Sequence, residues 1–249
     1  MLVNKLRSLW ASGKGATNAW AQLPASFATE TLAHQGWDSI TVDTQHGLIG
    51  YADMVAMLTA IATTPCVPLV RVGWNDPAEV MRAADAGAMG VICPTVNTKD
   101  ECEKFVGALR YAPLGHRSLG PNRARFYGDD YQAKANETLL AIAQIETAAG
   151  LQSVEAIAGV KGLDMLYVGP SDLGLSMGRD GVIDQTDPVV VAAIDKVLAA
   201  AKRAGLKAGI FCIAPAYSKQ MLKKGFDLVT CVSDTGLLRA GGALQREFV

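Results

Sequence analysis

The 249-residue chain is short of the residues from which metal clusters and secreted folds are built. It has only three histidines, His34, His46 and His116, and no HExxH or HxH pair, which argues against a histidine-built zinc site. Its five cysteines, Cys66, Cys93, Cys102, Cys212 and Cys231, are odd in number and far apart, and none forms a CxxC pair. They read as buried reduced thiols, with a metal cluster or a nucleophile as the alternative. No apolar run approaches the ~20 residues needed to span a bilayer, and the opening MLVNKLRSLWASGKG contains no apolar signal region. No membrane segment is expected, and the cytoplasm is the expected compartment. Charge is balanced as well, with 23 basic against 24 acidic side chains and a net charge of −1. Nothing in it marks a nucleic-acid or membrane surface.

Half of the residues are hydrophobic, enough for a sizeable core. Short β-branched runs alternate with Ala-rich stretches along the whole chain. The runs start at residues 15, 37, 66, 89, 139, 164, 207 and 227, and are almost continuously apolar, as strands buried on both faces should be. The stretches 25–36, 51–64, 76–87, 98–112, 148–159, 187–205 and 214–225 read as helices. Several start on an Asp or Thr cap and most end in Gly. A closing helix over 234–248 carries a Gly-Gly pair that invites a bend. Eight such units in this length predict a single-domain α/β (β/α)₈ TIM barrel over residues 1–249. The competing doubly wound sheet lacks its GxGxxG after the first strand. One region, about 111–137, is rich in Gly, Pro and charge and too long for an ordinary connection. It is expected to be a lid or substrate loop, or else a subunit contact.

In a barrel the chemistry lies where strands end. The second run ends in VDTQHG, which places Asp43, Gln45 and His46 there, and the third ends in VRV around Arg71. The fifth ends QIET, giving Gln144 and Glu146 at an i, i+2 spacing and hence on one face. The sixth ends VGPSDLG, with Ser171 and Asp172 just beyond the apolar run. Each has a purely structural reading. Asp43 or Asp172 could cap a helix, Arg71 and Glu146 could pair across the barrel mouth, and His46 could be a hydrogen-bonded core histidine. Together they leave a packed mouth with more ionisable groups than packing needs. Two carboxylates with water and substrate completing the shell suit Mg²⁺ or Mn²⁺. An arginine beside them would steady charge developing on a substrate oxygen. The backbone N–H groups of GPSD offer a place for a carboxylate. The set suggests enolisation of a 2-oxo acid.

The segments VDTQHG, VRV, PTVNTKDE, RYAPLGHRSLG, IAQIET and VGPSDLGLSMG, in this order and spacing, resemble the HpcH/HpaI family of metal-dependent (class II) pyruvate aldolases. Its members include 4-hydroxy-2-oxoheptanedioate and 2-dehydro-3-deoxyglucarate aldolases. The resemblance runs from about Trp20 to the C-terminal region. It implies a barrel whose last helix is exchanged between neighbours, in a homohexamer built as a dimer of trimers. It also implies that Glu146 and Asp172 ligate Mg²⁺ or Mn²⁺, with Co²⁺ or Zn²⁺ as substitutes. Arg71 and Gln144 would contact pyruvate or a related 2-oxo acid, whose carboxylate would meet the backbone at Ser171 and Asp172. His46, oriented by Asp43, would move the protons, and Trp20 would line the acceptor pocket. Most family members carry Glu where this chain has Gln45, which turns the expectation from long acidic acceptors to a small hydroxy- or oxo-aldehyde. Arg123 and Arg125, in a loop expected over the site, keep anionic or hydroxylated acceptors in view. The product would be a 4-hydroxy-2-oxo acid.

Rival readings leave other traces. A Schiff-base aldolase needs a lysine at a strand end, whereas Lys207 begins its strand and Lys161 lies in a connection. A phosphate-binding isomerase would want Gly-rich turns after the last two strands, which CIAPAYS and CVSDTGLL do not supply. A lyase acting on a CoA thioester would need a nucleotide-binding surface. A non-catalytic 2-oxo-acid-binding barrel would bind its ligand without exchanging its protons.

Overall fold

The structure, a computed structural model, describes residues 3–247. Its eight strands are parallel and close on themselves in chain order. They are β1 (Ala16–Ala21), β2 (Ser39–Asp43), β3 (Val67–Arg71), β4 (Gly90–Cys93), β5 (Leu140–Ile145), β6 (Met165–Val168), β7 (Lys207–Phe211) and β8 (Leu228–Ser233). Each lies inside the run predicted for it, and the barrel is the expected (β/α)₈ architecture. Helix α1 (Lys5–Ala11) precedes the barrel, and α2 (Ser26–Ala33), α3 (Tyr51–Ile61), α4 (Pro77–Asp85) and α5 (Lys99–Leu109) follow the first four strands. Then come α6 (Tyr131–Thr138), α7 (Ala148–Gln152), α8 (Val154–Ala158), α9 (Pro170–Ser176), α10 (Pro188–Arg203), α11 (Pro215–Lys224) and α12 (Asp234–Ala243).

The helix starts follow from local chemistry. Asp76 and Asp187 accept from Ala78 N–H and Val189 N–H and are each followed by proline, whose missing donor costs nothing in a first turn. Thr98 and Glu101 form a reciprocal capping box on α5. The stretch 148–159, expected as one helix, is two five-residue turns broken at Ser153. Helix α12 continues through Gly241 and Gly242 and tightens into a 3₁₀ turn at Leu244–Glu247, while Phe248 lies outside the described residues. None of its described side chains is buried, and Leu237 and Leu238 stand open. No helix among the described residues is long and apolar enough to cross a membrane.

A buried layer sits in the barrel interior: Asn18 Nδ2 donates to Thr230 Oγ1 (2.9 Å), Ser39 and Thr41 donate to Asn18 Oδ1, and the Tyr167 hydroxyl pairs with Thr230 (2.6 Å). The 111–137 region corrects the expectation of a lid. It connects α5 to the start of β5, so within the chain it lies at the strand-start end. There Arg123 donates to Thr59 Oγ1 (2.9 Å), Ala86 O (2.9 Å) and Leu58 O (3.2 Å), at the far ends of α3 and α4. Arg125 lines a separate cleft with Leu119, Pro121 and Tyr131. The five cysteines are free. Burial pushes the Cys66 and Cys102 thiols up to about 12 and the Cys93 and Cys212 thiols higher still, which leaves them poor nucleophiles.

Candidate active site

The strand ends surround a cavity of about 180 Å³. Trp20, Gln22, His46, Arg71, Gln144, Tyr167, Gly169, Ser171, Asp172 and Phe211 face it. A wider groove of about 520 Å³ beside α12 shares Gln22, Ile183 and Phe211 with it.

Strand register assembles one wall. Asp43 and Arg71 are directly paired across β2 and β3, so their side chains lie alongside each other on the inner face. Arg71 Nε donates to Asp43 Oδ1 (2.9 Å) and Nη2 donates to Oδ2 (2.7 Å), a planar fork on a fully buried carboxylate. Trp20 Nε1 also donates to Oδ2 (3.0 Å), and the Trp20 ring lies 4.9 Å beneath the guanidinium carbon. Tyr167 stacks on Trp20 and Phe211 meets it edge-on, at centroid distances of 6.2 and 5.1 Å. Burial alone would raise the Asp43 carboxyl. The Arg71 hydrogen bonds and charge, with the Trp20 and Gln45 donors, more than reverse this and hold it below the usual carboxylate range. Arg71 is thus fixed by two of its nitrogens, and Nη1 has no partner among the described residues.

This arrangement corrects one expectation. Asp43 does not hold the His46 ring. Its remaining capacity goes to the backbone N–H groups of Gln45 (3.1 Å) and His46 (3.4 Å), which shape the turn after β2. The His46 imidazole is exposed at the cavity and has no hydrogen-bond partner among the described residues. Gln45 does not line the cavity, and its half-buried side chain leaves Oε1 unpaired. Arg123 is at the other end of the barrel.

The opposite wall comes from β5 and the turn after β6. Glu146 is buried beside the cavity rather than on its surface. Its Oε1 accepts from Thr95 N–H (2.7 Å) and Thr95 Oγ1 (2.9 Å), and its Oε2 accepts from Gln144 Nε2. That bond fixes the Gln144 amide so that its Oε1 is left buried without a partner. Gly169 keeps this corner open, because a Cβ there would stand 2.6 Å from Glu146 Oε2 and 3.0 Å from Gln144 Nε2. Asp172, in the first turn of α9, is exposed toward the cavity.

These residues fit a hard divalent cation. The donors are all oxygen: a buried carboxylate, an exposed one, and an amide oxygen left orphaned at the cavity wall. Among the described residues there is no group of three His, Cys, Asp or Glu that could hold a metal. A two-carboxylate site would therefore be completed by water and substrate, as Mg²⁺-type sites are.

Sequence reasoning missed Thr95, Tyr167, Gly169 and Phe211. All four lie at strand ends, where position was the available signal, but none carries an ionisable group of the kind sought. Lys207 lies at the start of β7, 3.4 Å from Asp227, and no lysine among the described residues lines this cavity.

The parallel barrel, and the polar cavity at its strand ends, define a TIM-barrel enzyme. The chain belongs to the HpcH/HpaI aldolase/citrate lyase family, whose model matches residues 18–240. It is 39% identical over 239 residues to a hydroxypyruvate/pyruvate aldolase of Rhizorhabdus wittichii, covering 96% of this chain and 95% of that one. It is 33% identical to a 4-hydroxy-2-oxo-heptane-1,7-dioate aldolase of Shigella flexneri, covering 98% and 93%. An HpcH/HpaI aldolase/citrate lyase family protein of Burkholderia cenocepacia J2315 has the same fold. It superposes with a TM-score of 0.91 at 35% identity, covering 99% of each chain.

Proposed function

We propose that the protein is a divalent-metal-dependent pyruvate aldolase, a carbon–carbon lyase. It enolises pyruvate or a related 2-oxo acid and adds it reversibly to a small hydroxy- or oxo-aldehyde, giving a 4-hydroxy-2-oxo acid. The observation that carries this reading is the cavity's pairing of a fixed guanidinium with an all-oxygen corner. Family membership and the names of the aldolase relatives support it.

Glu146 and Asp172 would hold the metal, Mg²⁺ or Mn²⁺, with the Gln144 amide oxygen beside them. When bound, the ion supplies Lewis acidity to the ketone of the 2-oxo acid. Arg71 offers its free Nη1 to the oxygen on which negative charge develops, and Asp43 and Trp20 keep that donor in place before the reaction begins. His46 takes a proton from carbon 3 of the oxo acid and returns one to the aldehyde oxygen. In cleavage the two transfers reverse. Ser171 and Asp172 present backbone to the substrate carboxylate, and Trp20 with Phe211 forms an apolar wall for the acceptor. The uncovered apolar face of α12 supports an assembly in which a neighbouring subunit packs against this helix, in keeping with a homohexamer.

The half-reaction can be tested without knowing the acceptor. Incubated with pyruvate and Mn²⁺ in D₂O, the protein should exchange the methyl protons, followed by NMR. Chelation should stop the exchange, borohydride should not, and His46→Ala should slow it by ~10²–10⁴. Pyruvate binding with no exchange would favour a binding barrel. Exchange that survives chelation but not borohydride would mean imine chemistry.

A further inference from the structure

Thr95 is the one non-glycine residue among the described residues with a left-handed backbone, at φ 52°. For a β-branched residue this conformation is strained, at a cost on the order of 1–3 kcal/mol, and it persists only where the surroundings over-determine it. Here they do. The loop after β4 is tied rung by rung to the end of β5. Val96 N–H donates to Gln144 O (3.2 Å) and Thr147 Oγ1 pairs with Asn97 Oδ1, while Asn97 N–H donates to Glu101 Oε2 (2.7 Å) and so anchors the loop to α5 as well. The result is that Thr95 presents two donors, its own N–H and its hydroxyl, to a single oxygen of Glu146.

We propose that Thr95 is the positioning residue for Glu146. By occupying Oε1 with a backbone and a hydroxyl donor, it turns the carboxylate so that Oε2, which accepts only from the Gln144 amide, is the oxygen left toward the corner formed by Gln144 and Gly169. This rests on the reading of Glu146 as a metal ligand. A carboxylate free to rotate would offer either oxygen or both. One held at Oε1 binds through one oxygen in one orientation, and no rotational freedom remains to be lost when the ion arrives. The backbone N–H is present whatever the side chain, so the hydroxyl is what residue type contributes. Partners of metal ligands typically carry 10–100-fold of metal affinity.

The test measures Mn²⁺ binding by EPR of the free ion, without substrate, alongside Tm, for the wild type and for Thr95→Ser, Thr95→Gly, Thr95→Val and Glu146→Gln. Thr95→Ser keeps the hydroxyl and should hold the wild-type affinity. Thr95→Gly keeps the N–H and relieves the strained backbone, so it should leave Tm unchanged or higher while weakening Mn²⁺ by about tenfold. Loss of affinity without loss of stability is a signature that a merely structural threonine would not give. Thr95→Val should also weaken binding, and if it fails to fold the glycine variant still decides. If Glu146→Gln abolishes binding while Thr95→Gly binds as the wild type does, the positioning role is overturned. If Glu146→Gln itself binds Mn²⁺ normally, the ligand reading fails first, and the positioning role goes with it.

Discussion

The two ends of the barrel are similarly rich in buried charge, yet their buried arginines are used differently. At the strand-start end Arg110 donates to Gly162 O, Asn136 O, Leu139 O and Asp164, and Arg7 to Thr138 O, Leu139 O and the same Asp164. Arg123 is likewise used up by carbonyls and a hydroxyl. These arginines fasten the helix ends and connections to the barrel floor. At the strand-end face Arg71 is satisfied on only one edge, Gln144 keeps an orphaned oxygen, and His46 and Asp172 stand exposed at a cavity. Arg117 is an instructive exception. Its Nε and Nη1 lack hydrogen-bond partners, but its buried guanidinium lies 4.6 Å from the Tyr111 ring centroid and 5.6 Å from that of Tyr131, and it does not line the strand-end cavity. What distinguishes the strand-end face is therefore buried hydrogen-bonding capacity, on Arg71 and Gln144, left unused beside a cavity, rather than charge as such.

The sharpest way to break this comparison is at the carboxylates. Glu146→Gln or Asp172→Asn should remove nearly all aldol cleavage and tight divalent-metal binding, while circular dichroism and Tm stay near the wild type. Either variant retaining full metal-dependent turnover would dissolve the corner as a metal site. Arg71→Lys comes next. It keeps the charge but loses the planar fork, so kcat should fall by ~10²–10³ with a folded protein. A near-wild-type lysine variant would move Arg71 to the same class as the fastening arginines. The smallest effect on turnover belongs to the other end. Arg110→Met breaks a buried pair and should cost about 3 kcal/mol of stability. That lowers Tm by roughly 6–12 °C for a chain of this size, measured by thermal unfolding, with kcat of the folded protein unchanged. If turnover fell as steeply there as at Arg71, the two ends would not be separable in this way.

The strands were legible because strands buried on both faces need continuous apolar runs, and these stand out between capped helices. Helices α1 and α6 were not foreseen. Short and marginally apolar, they are held by tertiary contacts such as Arg7 and Tyr131 make, and not by a periodic face. The 111–137 region went to the wrong end because composition was given more weight than topology. A segment that follows a helix and leads into a strand must run along the strand-start face. The Asp43–Arg71 pair could have been found from register, since both end neighbouring strands. The expectation that Asp43 would hold His46 came from proximity in sequence, which in a turn brings backbone rather than side chain to the carboxylate. Thr95 gave no signal, because neither its conformation nor its partner on β5 can be read from residue type.

Gly169 makes the site vulnerable in a particular way. Glycine becomes alanine by a single base change. At this position the added methyl group would collide with Glu146 and Gln144, while the fold around it has little reason to fail. A lineage that no longer needed the chemistry could therefore lose it in one mutational step and keep the barrel.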